Sequence, residues 1–327
     1  MDTASPTLFQ LIVAAAMAAA CAPAIAQSGN YPEKPVRLVV PFPPGGAIDI
    51  MGRGTAQKLT EALGVQVIVD NRSGAGGAIG TDNVARAAPD GYTLLFSSTS
   101  PMSINPHINK VPYDPVASFA AVAMVANSPQ MIVVPSSLPV RTVKEFIAMA
   151  KARPGALSFA SSGVGTIIHV TAEMFAQRAG IKLLHVPYKG AAPAVVETVA
   201  GQVTMLSAAY PSVAGQLRAG KLKALAVTSL KRMELEPSVP TVSESGLPGF
   251  ESNQWWAVSG PAGMPQPIVN RLNTDLNKIL RTDEMKKRFA ADGAEPGGGT
   301  PAELAAYIRK DFEKWGGVIR TIGIKGE

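Results

Sequence analysis

Cysteine is almost missing from this chain of 327 residues: Cys21 is the only one, and it lies near the start. A disulfide framework, a cysteine-ligated metal and, past that position, a thiol nucleophile are thereby excluded. Histidine is nearly as scarce. His107, His169 and His185 are not spaced as a metal-binding pair. His169 and Glu173 share one helical face at i and i+4, which is more ordinarily a side-chain pair than an ion site. Charged residues make up only 17% and are scattered, with tight basic runs only at Lys231-Arg232 and Lys286-Lys287-Arg288. No basic face of the kind that grips nucleic acid is gathered. No apolar run after Ala20 is long enough to span a bilayer, and no G-x-S-x-G nucleophile elbow occurs. Two glycine stretches imitate nucleotide motifs and fail. Leu222 follows Gly215–Lys221 where a P-loop needs Ser or Thr, and Ile79 stands where the third glycine of a dinucleotide loop would follow Gly74 and Gly76.

What is present is core material and an address. Hydrophobic residues reach 46%, and the length suits two ordinary domains. Leu8–Ala20 is apolar and Ala24-Ile25-Ala26 offers a small-residue cleavage site, so residues 1–26 read as a secretory signal peptide. The segment before it carries Asp2 and no Lys or Arg, which ordinary leaders do carry. Cys21 follows three alanines and offers a lipid-anchored alternative. The mature protein is expected to be exported.

From Val36 onward, short apolar runs alternate with helical periodicity: strand Val36–Val40, helix Ile50–Leu63, strand Gln66–Asp70, helix Ala78–Ala87, strand Tyr92–Phe96. This order predicts an α/β fold with a mainly parallel sheet flanked by helices. Residues 101–121 are proline-rich and expected to be irregular. The apolar runs 121–126 and 131–134 form a first crossing, interrupted by Asn127-Ser128-Pro129. A second α/β unit follows: helix Val143–Lys151, strand Leu157–Ala160, helix Thr166–Ala179, strand Leu183–Val186, helix Ala192–Ala200, strand Gln202–Ser207, helix Ser212–Ala219 and strand Leu222–Val227. Gln254–Ser259 returns as a second crossing strand, before helices 267–280, 283–291 and 301–322. The expected layout is a discontinuous domain 1 (27–127 and 251–327), with domain 2 (128–250) inserted. Two crossings make a hinge, and a ligand belongs in the cleft between the lobes.

The chain is organised around Val36–Asp49. A buried strand runs into Pro41-Phe42-Pro43-Pro44-Gly45-Gly46-Ala47, and a helix opens near Asp49, a good N-cap type. Prolines stiffen this loop, glycines let its backbone approach a small molecule, and the helix turns its free N–H groups toward it. That combination suits an anion, above all a carboxylate. Further polar or glycine-rich loops close other strands: Ser97–Ser100, with Ser98 the candidate, Ser161–Thr166, Tyr188–Gly190, and Ser207–Tyr210. Ligands of open α/β sheets sit outside such strand ends. These loops offer hydroxyls and amides but few ionisable groups. Only Asp49, Lys189 and His169 could serve as a base if the protein were an enzyme acting on a carboxylate, so binding without catalysis is the expected role.

These residues, in this order, resemble the substrate-binding proteins of tripartite tricarboxylate transporters, the Bug or TctC-like family. The likeness runs from Tyr31-Pro32 to Gly323-Ile324-Lys325. It rests on Val39–Gly46 with Asp49, Asn71-Arg72 with Gly74–Gly77, Pro89–Leu94, Ser161–Thr166 with His169, Val186–Gly190, Leu225–Thr228 and Val239-Pro240-Thr241. It implies a two-lobed, type II periplasmic binding protein, a Venus flytrap without cofactor or metal. Such a protein acts as a monomer, closes on a small organic anion and hands it to membrane components of a transporter or to a sensor receptor. Carried over residue by residue, one ligand carboxylate is met by Phe42, Pro43, Gly45, Gly46, Ala47 and Asp49 from lobe 1. Ser161, Ser162, Gly163, Gly165, Thr166 and His169 face it from lobe 2, with Tyr188, Lys189 and Gly190 on the neighbouring loop. The family commonly has an acidic residue after Gly201-Gln202-Val203, where this chain has Thr204. Thr204 and Tyr210 are therefore expected at the distal end of the ligand, and the missing carboxylate to disfavour ligands with an ammonium group.

Overall fold

The structure is a computed structural model in which residues 31–326 are described. The expected leader, its cleavage site and Cys21 lie outside the described residues. Strand β1 (Val36–Val40) is buried almost throughout, as five residues rich in Val and Leu favour. It pairs in parallel with β2 (Val67–Asn71) and β3 (Thr93–Ser98), Leu38 standing opposite both Val69 and Leu94. Helices α1 (Ala47–Leu63) and α2 (Ala78–Ala85) pack on these strands. Helix α1 begins at Ala47, earlier than expected, with Gly46 as N-cap. Asp49 is therefore not the N-cap but sits inside the first turn. The failed dinucleotide loop has a packing role: a Cβ on Gly80 would come 2.4 Å from the Arg72 carbonyl oxygen, so only glycine lets α2 lie this close to the β2 turn.

Ser100–Ile104 winds as a π-helical turn into the short helix α3 (Asn105–Ile108), inside the stretch expected to be irregular. Next comes β4 (Phe119–Pro135), a single strand where two runs were expected. Asn127, Ser128 and Pro129 pair with Trp255, Gln254 and Asn253 of β9 (Asn253–Pro261), so the polar residues continue the ladder. From Gln130 onward β4 pairs instead with β7 (Met205–Ala209) and β8 (Leu222–Val227). Proline, lacking an N–H, sits where the strand changes partners. The second lobe adds α4 (Val143–Ala152), β5 (Ser158–Ser161), α5 (Ile167–Ala179), β6 (Leu184–Pro187), α6 (Ala191–Val199) and α7 (Tyr210–Arg218). Strand β5 lies parallel to both β6 and β7. The chain closes with α8 (Gln266–Arg281), α9 (Asp283–Ala291), the unanticipated β10 (Glu295–Gly298), and α10 (Pro301–Ile322). The strand order is β2-β1-β3-β9-β4-β7-β5-β6, with β8 and β10 also on β4. Strands that alternate with helices are parallel, and the crossing strands are antiparallel to their neighbours.

The crossing is stitched by hydrogen bonds. Gln130 N–H donates to Thr228 Oγ1 at 2.8 Å and Thr228 N–H to the Gln130 carbonyl at 2.9 Å. Ser252 N–H donates to the Thr228 carbonyl at 3.0 Å. Helix α10 spans the seam. Leu304 and Ile308 join a core with Val39, Leu95 and Trp255, whereas Trp315 and Ile319 join the core of Met131, Leu206 and Val213.

Candidate functional site

Each lobe ends its parallel strands at the same edge, and the two edges meet. The cavity there, about 30 Å³, is lined by Phe42, Pro43, Gly46, Ala47 and Ile48 on one side. Ser162, Ile167, Ile168, Ala191, Ala209 and Ser212 line the other, with Ser100 and Gln254 between. The N-termini of four helices converge on it. Ala47 opens α1, Ile167 opens α5, Ala191 opens α6, and Ala209 is the N-cap of α7. Only α5 has a side-chain cap, Thr166 Oγ1 accepting from His169 N–H at 3.4 Å; α1, α6 and α7 have none. The sequence explains this, since Gly46, Gly190 and Ala209 have no side-chain oxygen to spend on the helix. No cap side chain therefore stands between the positive ends of these helix dipoles and the cavity.

The lobes already bond across the gap. Ala47 N–H donates to Ser212 Oγ of α7 at 2.8 Å, and Ile167 N–H donates to Ser100 Oγ at 3.0 Å. Each lobe thus places a serine hydroxyl on the first helical amide of the other. A Cβ on Gly190, whose φ is 115°, would come 3.0 Å from the Pro43 ring, and one on Gly45 would come 3.3 Å from Ala192 Cβ.

Behind the first loop, Asp49 is buried. It accepts from Gly45 N–H (3.0 Å), Asn71 Nδ2 (2.9 Å) and Arg53 Nε (3.0 Å). Burial pushes its carboxyl up, but the bonds from Arg53, Asn71 and Gly45 outweigh that and hold it below the usual carboxylate range. Behind the second loop, His169 and His185 stack at 4.1 Å between ring centres, with Phe159 stacked on His185 at 4.8 Å. Burial drives His169 down to about 3, helped by His185, and drives His185 down to about 4. His185 Nε2 lies 2.6 Å from Ser161 Oγ, which accepts from Gly163 N–H at 3.1 Å. His169 Nε2 stays 3.9 Å from Glu173, beyond hydrogen-bond range.

Of the residues expected at the site, Phe42, Pro43, Gly46, Ala47 and Ser162 line the cavity, while Gly45 and Gly190 meet the facing lobe. Ser161, Gly163, Gly165 and Thr166 shape the second loop. Gly165 is pressed against Asn105, and Thr166 Oγ1 donates to the Gly163 carbonyl at 2.7 Å. Tyr188 is on the adjoining loop, its N–H donating to the Ser161 carbonyl at 3.0 Å, and Lys189 is exposed. Five further residues, Asp49, Ser98, His169, Thr204 and Tyr210, are not in the cavity lining. Asp49 and His169 support loops and do not face the cavity. Ser98 is still inside β3, fully buried, because that strand runs two residues further than expected; the serine that reaches the cavity is Ser100. Thr204 lies before β7, at the strand end away from the cleft, with its hydroxyl on the Ser158 backbone. Tyr210 turns its phenol to Glu236 at 3.3 Å. The sequence did not single out Ile48, Ile167, Ile168, Ala191, Ser212 or Gln254. Isoleucines and alanines at helix starts read as core, and a glutamine in an apolar strand carries no motif.

Among the described residues no cluster of three potential metal ligands occurs and no helix is long and apolar enough to cross a membrane. The sequence model of the tripartite tricarboxylate transporter family receptor, TctC, matches residues 51–324. Protein BugT of Bordetella pertussis is 39% identical over 298 residues, 90% of this chain and 91% of that protein. Among solved structures, R. palustris Rpa4515 with adipate is similar at TM-score 0.89 and 35% identity, over 91% of this chain and all of that one. MatC of Rhodopseudomonas palustris with bound malate is similar at TM-score 0.84 and 29% identity, over 88% and 100%. With its cleft of converging helix ends and a family match over most of its length, the chain belongs to the TctC-type (Bug) receptors, a family of periplasmic solute-binding proteins.

Proposed function

We propose that this protein binds a small organic carboxylate between its lobes and delivers it to the membrane components of a tripartite tricarboxylate transporter. The observation that carries the proposal is the meeting of four helix N-termini at one cavity, three of them without side-chain caps and none accompanied by a cationic side chain in the lining. Such a site holds an anion by amides and dipoles, each dipole contributing about 0.3–1 kcal/mol. Its lining has no carboxylate to pair with an ammonium group. Thr204, turned away from the cleft, has no part in that preference. The lobe division near 127/128 and 250/251 belongs to this proposal, supported by the change of partners along β4.

Binding fits better than turnover. Asp49 is tied by three bonds, His169 lies behind its loop, and Lys189 is exposed outside the lining. A cavity of about 30 Å³ holds about two waters, so a carboxylic acid enters only when the lobes part. Isothermal titration against a panel of mono- and dicarboxylates, including adipate and malate, is expected to give saturable binding, with each ligand recovered unchanged after long incubation. Absence of binding across the panel, or conversion of a bound acid, would reject the proposal.

A further inference from the structure

The floor of the cleft holds a carboxamide pair that anion binding does not explain. Gln254 of β9 lines the cavity and is 8% exposed. Its Oε1 accepts from Gln130 Nε2 of β4 at 3.0 Å. Gln130 is fully buried, and its own Oε1 has no partner. Its backbone is held on both sides by Thr228, so the side chain stands at a fixed point of the crossing. A buried acceptor without a partner is costly, and an apolar side chain on either strand would avoid that. With Gln254 Oε1 occupied, Gln254 has its Nε2 donor to offer to the cavity. The unanswered acceptor, Gln130 Oε1, lies on the amide already bonded to Gln254. Gln254 therefore presents one amide donor at the base of a site whose helix ends are proposed to take the carboxylate, while Gln130 stands behind it, outside the lining, and fixes its amide.

Resting on the carboxylate-binding reading above, we infer that Gln254, positioned by Gln130, forms a subsite for an uncharged hydroxyl on the ligand, so that the protein selects hydroxy acids. A hydroxyl oxygen can accept from the Gln254 amide, as a keto oxygen also can, whereas the methylene of a deoxy acid cannot. The rest of the lining is consistent with this. Ser100, Ser162 and Ser212 are neutral, and Phe42, Ile48 and Ile168 are apolar, so the lining carries no carboxylate that would form an ion pair with an ammonium group.

The test is isothermal titration of the full chain with matched hydroxy and deoxy acids: malate and succinate, lactate and propionate, 3-hydroxybutyrate and butyrate, mandelate and phenylacetate. The hydroxy member of the tightest-binding pair is expected to bind roughly 3- to 10-fold more tightly, the worth of one or two neutral hydrogen bonds. In Gln254→Leu that ratio is expected to fall toward one, and in Gln130→Met to fall partway. Deoxy acids that bind as well as or better than their hydroxy partners in the native protein would overturn the inference and leave carboxylate binding standing, and this result needs no variant to fold. A ratio that survives Gln254→Leu would also overturn it. If no acid of any pair binds, the carboxylate reading falls and takes the inference with it.

Discussion

Asp49 puts a negative charge into the first turn of a helix proposed to receive an anion, and its bonds resolve the conflict. The carboxylate is turned back onto Gly45 N–H, Asn71 and Arg53, so its charge is spent on holding the glycine loop. Asp49→Ala is expected to cost about 1.5–3 kcal/mol, the usual worth of hydrogen bonds to a charged group. A denaturant titration reads this as a lower midpoint at unchanged slope. The stacked histidines make a pH prediction. His169 and His185 titrate at about 3 and about 4 in the fold, pushed down by burial, against about 6.5 in the unfolded chain. A depressed folded value means that the unfolded chain takes up protons first. The stability is fully present above about pH 6.5 and is lost as pH falls through about 4 for His185 and about 3 for His169. Between pH 7 and pH 5 the loss from His169 is on the order of 2 kcal/mol, with less from His185, which is more open to solvent. Thermal melts at the two values check this, and a double His169→Phe, His185→Phe variant should flatten the profile.

At the scale of elements, the proposed anion site is a property of helix starts. Ala47 is the first residue of α1, and Gly46 before it has φ −87° and ψ 167°. That is the extended conformation a residue before proline needs, and proline suits the first helical position. Ala47→Pro should therefore keep the helix while deleting the amide that now donates to Ser212. The expected result is a melting temperature close to native and a 10- to 100-fold weaker carboxylate, the worth of one charge-assisted bond. Titration with the tightest acid of the panel decides it, and unchanged affinity would show that the α1 amide is not used. The long strand β4 teaches a related lesson. Polar residues at 127–129 looked like a break, but pairing to β9 overrides their local preference.

For the whole molecule, α10 decides whether the two lobes unfold together. Trp315 is 1% exposed in the core of the second lobe, while Leu304 and Ile308 of the same helix are buried in the first. Trp315→Ala is expected to cost about 3–5 kcal/mol and to preserve a single unfolding transition, because a helix shared by two cores couples them. Two separated transitions in a denaturant titration, followed by fluorescence and circular dichroism, would show that the lobes are joined only by the crossing strands.

Several features were legible before any fold was known, and each has a local cause. Strand β8 and helices α9 and α10 lie where periodicity put them, because their caps and breakers are sequence-local: Thr282 and Thr300 cap the two helices, and Gly323 ends the last. The glycine loops at strand ends were equally readable, since turn chemistry depends on a few neighbouring residues. The floor and walls of the cleft were not. Ser212 and Ala191 follow the ends of β7 and β6, and Gln254 lies on the crossing strand β9, so they reach the cavity only through the way the sheet is assembled. Thr204 leaves it because it falls at the opposite end of a strand from the one that faces the ligand. Residue type and spacing set which segments become strands, helices and turns. Which strand end faces the partner lobe, and so which neutral side chains meet a ligand, is set by pairing between residues more than a hundred positions apart, and only the folded chain brings those together.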